Sequence, residues 1–80
     1  MISLLIQIYG SKWWYKNDQI HRTNGPANIY SDGQQTWYLR HQRHRTSGPA
    51  VIYSDGTVEY WINGRELSDY ELMFLHNTQL

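Results

Sequence analysis

His21-Arg22-Thr23-Asn24-Gly25-Pro26-Ala27 recurs as His44-Arg45-Thr46-Ser47-Gly48-Pro49-Ala50, an offset of 23 residues. The residues that follow keep the same step, so that Asn28-Ile29-Tyr30-Ser31-Asp32-Gly33 becomes Val51-Ile52-Tyr53-Ser54-Asp55-Gly56. The same offset aligns Gly10 with Gly33 and Gly56, Trp14 with Trp37 and Tyr60, and Tyr15 with Tyr38 and Trp61. Gapless agreement over this span marks an internal repeat. The chain holds about three units, of which the first and last are degenerate.

Each unit reads as a β-hairpin. Ala27 to Tyr30 forms one short strand, Ser31-Asp32-Gly33 is a turn in which Gly supplies positive φ, and Gln35 to Arg40 is the return strand, rich in Trp and Tyr. The Gly-Pro ahead of each unit breaks what precedes it and starts the next strand. The scheme predicts strands near 3–9 and 12–17, 27–31 and 35–40, and 50–54 and 58–63, in hairpin units of about 3–17, 27–40 and 50–63. After them, Ser68-Asp69-Tyr70-Glu71 matches a capping box before the apolar run Leu72-Met73-Phe74-Leu75, and predicts a helix over 68–76 that closes the array. The expected fold is mainly β: an open twisted antiparallel meander of about three consecutive hairpins, with a short C-terminal capping helix folded over the last one.

Eighty residues make one domain, and a domain this small has a thin core. A large enclosed active site is therefore not expected. The absence of Cys excludes disulfides, thiolate metal sites and a cysteine nucleophile, and agrees with a reducing compartment. Seven Lys and Arg balance seven Asp and Glu, while a mean hydropathy of −0.70 coexists with 15% aromatic residues. Disordered chains lack such side chains, so this one folds. Ile2 to Ile8 is apolar but far shorter than the roughly 20 residues that span a bilayer, and has neither a basic lead nor a cleavage site. The expectation is a soluble intracellular protein without a membrane partner.

Side chains alternate across a strand. With a three-residue hairpin loop, Ala27, Ile29, Trp37 and Leu39 share a face with Ala50, Ile52, Val58, Tyr60 and Ile62, and in the first unit with Leu4, Ile6, Ile8 and Trp14. This mostly apolar set is the predicted core. The other face carries Trp13, Tyr15, Tyr30, Tyr38, Tyr53 and Trp61 among Asn17, Arg40, Glu59 and Asn63. A single-layer sheet leaves one face wet, and aromatics with Arg are the composition of protein interfaces. The predicted partner-binding residues are therefore Tyr15, Tyr30, Tyr38, Tyr53, Trp61 and Trp13, with Arg40, Arg43 and Arg45 as orienting charges. The apolar strand 2–8 is an exposed edge and predicts homodimer formation.

The chemistry-bearing residues form no catalytic or metal-binding pattern. Of the four imidazoles, His21 and His44 belong to the repeat, and neither they, His41 nor His76 has a carboxylate or Cys at ligand spacing. Asp32 and Asp55 are turn residues; Asp69 and Glu71 belong to a helix start. Asp18, Glu59 and Glu66 have no evident partner acid, and no nucleophile elbow or phosphate loop is present. No enzyme activity, cofactor or metal is expected. Arg40 to Arg45 is a local basic cluster, but residues 59–71 set Glu59, Glu66, Asp69 and Glu71 against Arg65 alone, a net of −3. So polarised and neutral a chain is a poor general binder of phosphate backbones.

The stretch HRTNGPANIYSDGQQTWYLRHQRHRTSGPAVIYSDGTVEYWINGREL resembles the MORN-like repeats with an H-R-x-x-G-P-A signature, found in small proteins of tailed bacteriophages and in some bacteria. The resemblance covers roughly residues 14 to 75. The chain departs from it where Gln7 replaces a strand Tyr, and where Arg40-His41 stands in place of an Asn-Gly turn such as Asn63-Gly64. The resemblance implies open sheets of consecutive hairpins used for binding or scaffolding. It further implies a non-enzymatic phage accessory protein, acting in the host cytoplasm, that binds and inhibits or modulates a host protein or defence complex. The alternatives are a nucleic-acid or nucleotide binder using the same aromatics and basic cluster, and a self-associating assembly module.

Overall fold

Two kinds of turn build the fold. The first places two consecutive residues in left-handed backbone: Tyr9-Gly10 (φ 50° and 82°), Asn17-Asp18 (53° and 62°), Arg40-His41 (52° and 69°) and Asn63-Gly64 (49° and 82°). Such a two-residue turn matches the twist of the strands that it joins. The second is a three-residue loop closed by a single left-handed glycine. The Gly33 amide donates to the Tyr30 carbonyl (3.0 Å) and the Tyr30 amide to the Gln34 carbonyl (2.8 Å), and Gly56, Tyr53 and Thr57 repeat these bonds. Asp32 and Asp55 act in these loops as expected: each accepts a backbone amide, from Gln34 and Thr57, at 2.9 Å.

The computed structural model describes residues 4–78, and side chains as far as Met73. It is mainly β, with antiparallel hairpins in open sheets and one short C-terminal helix. The strands are β1 (Leu4–Ile8), β2 (Ser11–Lys16), β3 (Gln19–Ile20), β4 (Asn28–Ile29), β5 (Gln35–Thr36), β6 (Tyr38–Leu39), β7 (Gln42–Arg43), β8 (Val51–Ile52), β9 (Val58–Glu59), β10 (Trp61–Ile62) and β11 (Arg65–Glu66), followed by α1 (Asp69–Thr78). The main sheet runs β1-β2-β4-β5-β8-β9, with β3 added on β2; β6-β7 and β10-β11 form separate two-stranded ribbons. Each unit is therefore a pair of hairpins rather than one. The expected return strand 35–40 breaks at Trp37, and its second half pairs with β7, a strand that the sequence reading missed. The reason is the Arg40-His41 turn, which reverses the chain without an Asn-Gly pair. Its two amides are clamped from the preceding unit: Arg40 donates to His21 Nδ1 (2.9 Å) and His41 to the Ile20 carbonyl (3.0 Å).

The register gives two rows across the main sheet. One runs Ile6, Trp13, Asn28, Thr36, Val51, Glu59; its neighbour runs Gln7, Lys12, Ile29, Gln35, Ile52, Val58. Directly opposed residues share a face, so these rows occupy opposite faces. Asn28, Thr36 and Val51 are 1%, 2% and 0% exposed. They lie on the aromatic face, which was expected to be wet. On the face expected to be core, Ile29 and Ile52 are half-buried and Val58 is exposed. The core thus sits at the middle of the aromatic face and at Ala27 and Ala50, which are fully buried, and Ile20 is buried as well. The first unit also differs. Tyr9-Gly10 is a two-residue turn, so Ile6 faces with Trp13 and not Trp14, and Leu4, Ile6 and Ile8 stand exposed on the edge strand.

The capping box forms as written. The Glu71 amide donates to Ser68 Oγ (3.2 Å) and the Ser68 amide to Glu71 Oε1 (3.1 Å). Arg65 adds a two-pronged grip on the Glu71 carboxylate at 3.0 and 2.8 Å. Arg65 and the Ser68 amide together hold Glu71 far below the usual carboxylate range, at about 2. Packing of Phe74 and Leu75 over the last hairpin lies outside the described side chains, as does residue 2–3 of the expected edge strand.

Candidate functional site

The repeat signature is a structural staple, used twice. Arg22 lies flat over Trp14 and Arg45 over Trp37, each with its guanidinium carbon 3.9 Å from the ring centroid. Each Nη1 donates at 3.1 Å to a carbonyl four residues on, Pro26 or Pro49. The glycines complete the sandwich: a Cβ at Gly25 or Gly48 would stand 3.1 Å from the guanidinium carbon. The histidines clamp the next unit's turn, His21 accepting from Arg40 and His44 from the Asn63 amide (3.0 Å). Trp14 and Trp37 supply further bonds, their amides donating to Ala27 and Ala50. The sequence reading explained the histidines as junction residues but counted Arg45 among the orienting charges. The structure instead engages Arg45 inside a junction. The signal was available, because Arg22 and Arg45, like Trp14 and Trp37, keep the repeat offset.

Burial first, and then the charges of Lys16 and Arg40, hold His21 below the usual imidazole range. A lowered value favours the neutral ring that accepts the Arg40 amide. The unfolded chain then binds the proton more readily, so stability is complete above the ordinary value of about 6.5 and falls as pH drops below it. We expect the melting temperature to fall between pH 7.5 and pH 5.5, above the range in which carboxylates titrate. His21→Gln should flatten that slope; an equal slope in wild type and variant would refute the assignment.

Three expected site residues, Tyr53, Trp61 and Arg43, meet around one carboxylate, and a fourth, Tyr38, stands beside Arg43. Tyr53 Oη donates to Glu59 Oε2 (2.8 Å) and Trp61 Nε1 to Glu59 Oε1 (2.9 Å). Arg43 lies 4.9 Å above the Trp61 ring, with Nη1 3.8 Å from Glu59 Oε1, and Tyr38 is its cross-strand partner. The Trp61 bond, the Tyr53 bond and then the Arg43 charge hold Glu59 below its ordinary value; the Tyr53 phenol is correspondingly raised, chiefly by Glu59. The side chains of Arg43 and Glu59 remain 35% and 26% exposed. Sequence reasoning placed Glu59 on this face but not in the site. The clue was that Glu59 breaks the repeat where the preceding unit has Thr36.

The other expected residues lie apart. Trp13 and Tyr30 meet edge to face, with centroids 5.4 Å apart. Tyr15 stands opposite the buried Ile20, and Arg40 is exposed in its turn. Among the described residues no His or carboxylate group gathers as a metal site, and no helix is long and apolar enough to cross a membrane. The chain matches no family model, no curated protein and no solved structure.

Proposed function

We propose that the chain is a non-enzymatic binding module that docks on a protein through the cluster Tyr38, Arg43, Tyr53, Glu59 and Trp61. One observation supports the reading: a cation, an anion and three rings, drawn from the end of the main sheet and the two ribbons, converge and stay partly open to solvent. Half-buried aromatics around a held Arg give large contact area at little entropic cost, and accessible charge orients docking. The setting that the MORN-like resemblance implies is a small phage protein that inhibits or modulates a host protein or defence complex in the host cytoplasm.

The test is affinity capture from a bacterial lysate, identified by mass spectrometry, with wild type and Arg43→Glu compared. The variant reverses the accessible charge beside Glu59 while leaving the junction staples intact. We expect a partner retained by wild type to be lost at least tenfold from a variant whose circular dichroism is unchanged. Equal recovery by both would remove the cluster from the interface. A second reading, self-association through β1, is favoured by the exposure of Leu4, Leu5, Ile6 and Ile8 on an edge strand. Sedimentation of the same samples at tens of micromolar separates the two, since a strict monomer leaves only a foreign partner.

A further inference from the structure

Two intact copies of the signature create one feature that neither copy has alone. The loops 22–25 and 44–47 stand side by side, and between them lies an open groove of about 600 Å³ floored by Trp37 and Leu39. This volume falls in the range of small-molecule sites. The signature does not recur a third time: Leu67, Ser68 and Glu71 occupy the positions of His44, Arg45 and Gly48, and the chain turns into α1 instead.

The walls are basic and hydroxyl-rich, and no carboxylate lines them. The two arginines differ in what they offer. Arg22 spends Nη1 on Pro26 and Nε on Asn24 Oδ1 (3.2 Å). In the second loop Ser47 replaces Asn24 and makes no such bond. Arg45 therefore spends only Nη1, on Pro49, and its Nε and Nη2 have no hydrogen-bond partner among the described residues. Those two N–H groups form the side-on edge of the guanidinium, the fork that grips an oxyanion through two parallel bonds. The stacking on Trp37 and the close approach of Gly48 fix its orientation. Leu39 points away from Tyr38, so the groove opens on the other side of its ribbon from the docking cluster.

We propose that this groove binds an organic phosphate carrying a flat or apolar group, of the class of nucleoside phosphates, with the phosphate on the free edge of Arg45 and the apolar part on Trp37 and Leu39. The hydroxyls of Thr46 and Ser47 supply further donors to the phosphate, and the second guanidinium, Arg22, adds positive field from the facing wall. This site shares no residue with the protein-docking cluster and stands or falls separately from it.

The test uses amide chemical shifts and tryptophan fluorescence, with pyrophosphate, adenosine and adenosine diphosphate as probes. The diphosphate should shift residues 22–25 and 44–47 and bind more tightly than either fragment. Ser47→Asn copies the first loop and occupies Arg45 Nε without disturbing the staple; it should weaken binding about tenfold, the loss of one charge-assisted bond. Thr46→Glu places a carboxylate at the rim and should weaken it at least as much. No perturbation of these loops by millimolar adenosine diphosphate would overturn the proposal. So would unchanged affinity in both folded variants.

Discussion

Arg45→Ala should lower the unfolding free energy by about 2–4 kcal/mol. Three losses add: the cation–π stack on Trp37, worth roughly 0.5–2 kcal/mol; the charged hydrogen bond to the Pro49 carbonyl, about 1.5–3 kcal/mol less whatever water restores; and the apolar stem laid along the ring. A chain of this length holds only about 4–12 kcal/mol in total, so this one truncation removes a large share. The Arg22→Ala counterpart should behave alike, because Arg22 makes the same stack and the same carbonyl bond. Urea melts of Arg45→Ala, Trp37→Phe and the double variant measure the coupling. A coupling energy near zero, or a single-variant loss below about 0.5 kcal/mol, would show that the guanidinium is a solvated charge and not a staple.

The second large effect separates two positions that the repeat makes equivalent. Thr36→Glu should cost about 3–5 kcal/mol, the scale of a buried charge left without a partner, and shift the melting temperature down by more than about 12 °C for a domain of this size. Thr36 is 2% exposed, flanked by β4 on one side and β8 on the other. Its counterpart Glu59 lies in β9, the last strand of the main sheet, where Tyr53, Trp61 and Arg43 receive it. The reverse exchange, Glu59→Thr, should change stability by less than about 1 kcal/mol, since its hydrogen bonds are partly open to water. Equal losses from both exchanges would mean that the repeat, and not the position in the array, sets burial.

Several features were legible because they are local. The 23-residue step, the Asp-Gly loops and the Ser68-to-Glu71 capping box each depend on neighbours in the chain, and all are present as read. The turn at Arg40-His41 was not legible, since Arg does not favour left-handed backbone and the pair lacks the glycine of Asn63-Gly64. What holds it is His21 and Ile20, some 20 residues earlier. The site was legible in composition only. Alternation names Tyr38, Tyr53 and Trp61 by their face and charge names Arg43, but neither shows that Glu59 gathers Tyr53, Trp61 and Arg43; the Arg45 stack on Trp37, eight residues back, is visible only as a shared repeat offset with Arg22 and Trp14.

Periodicity, the Asp-Gly loops and the capping box were settled by the order of residues alone, since each is a matter of short-range sterics and spacing. Which face becomes the core was decided only in three dimensions. Alternation sorts side chains into two sets without saying which set is covered. Here Asn28 and Val51 are buried while Ile29 and Ile52, beside them on the same interior strands, are only half-buried, and the more apolar Leu4 and Ile8 stay exposed on an edge strand that has a neighbour on one side only.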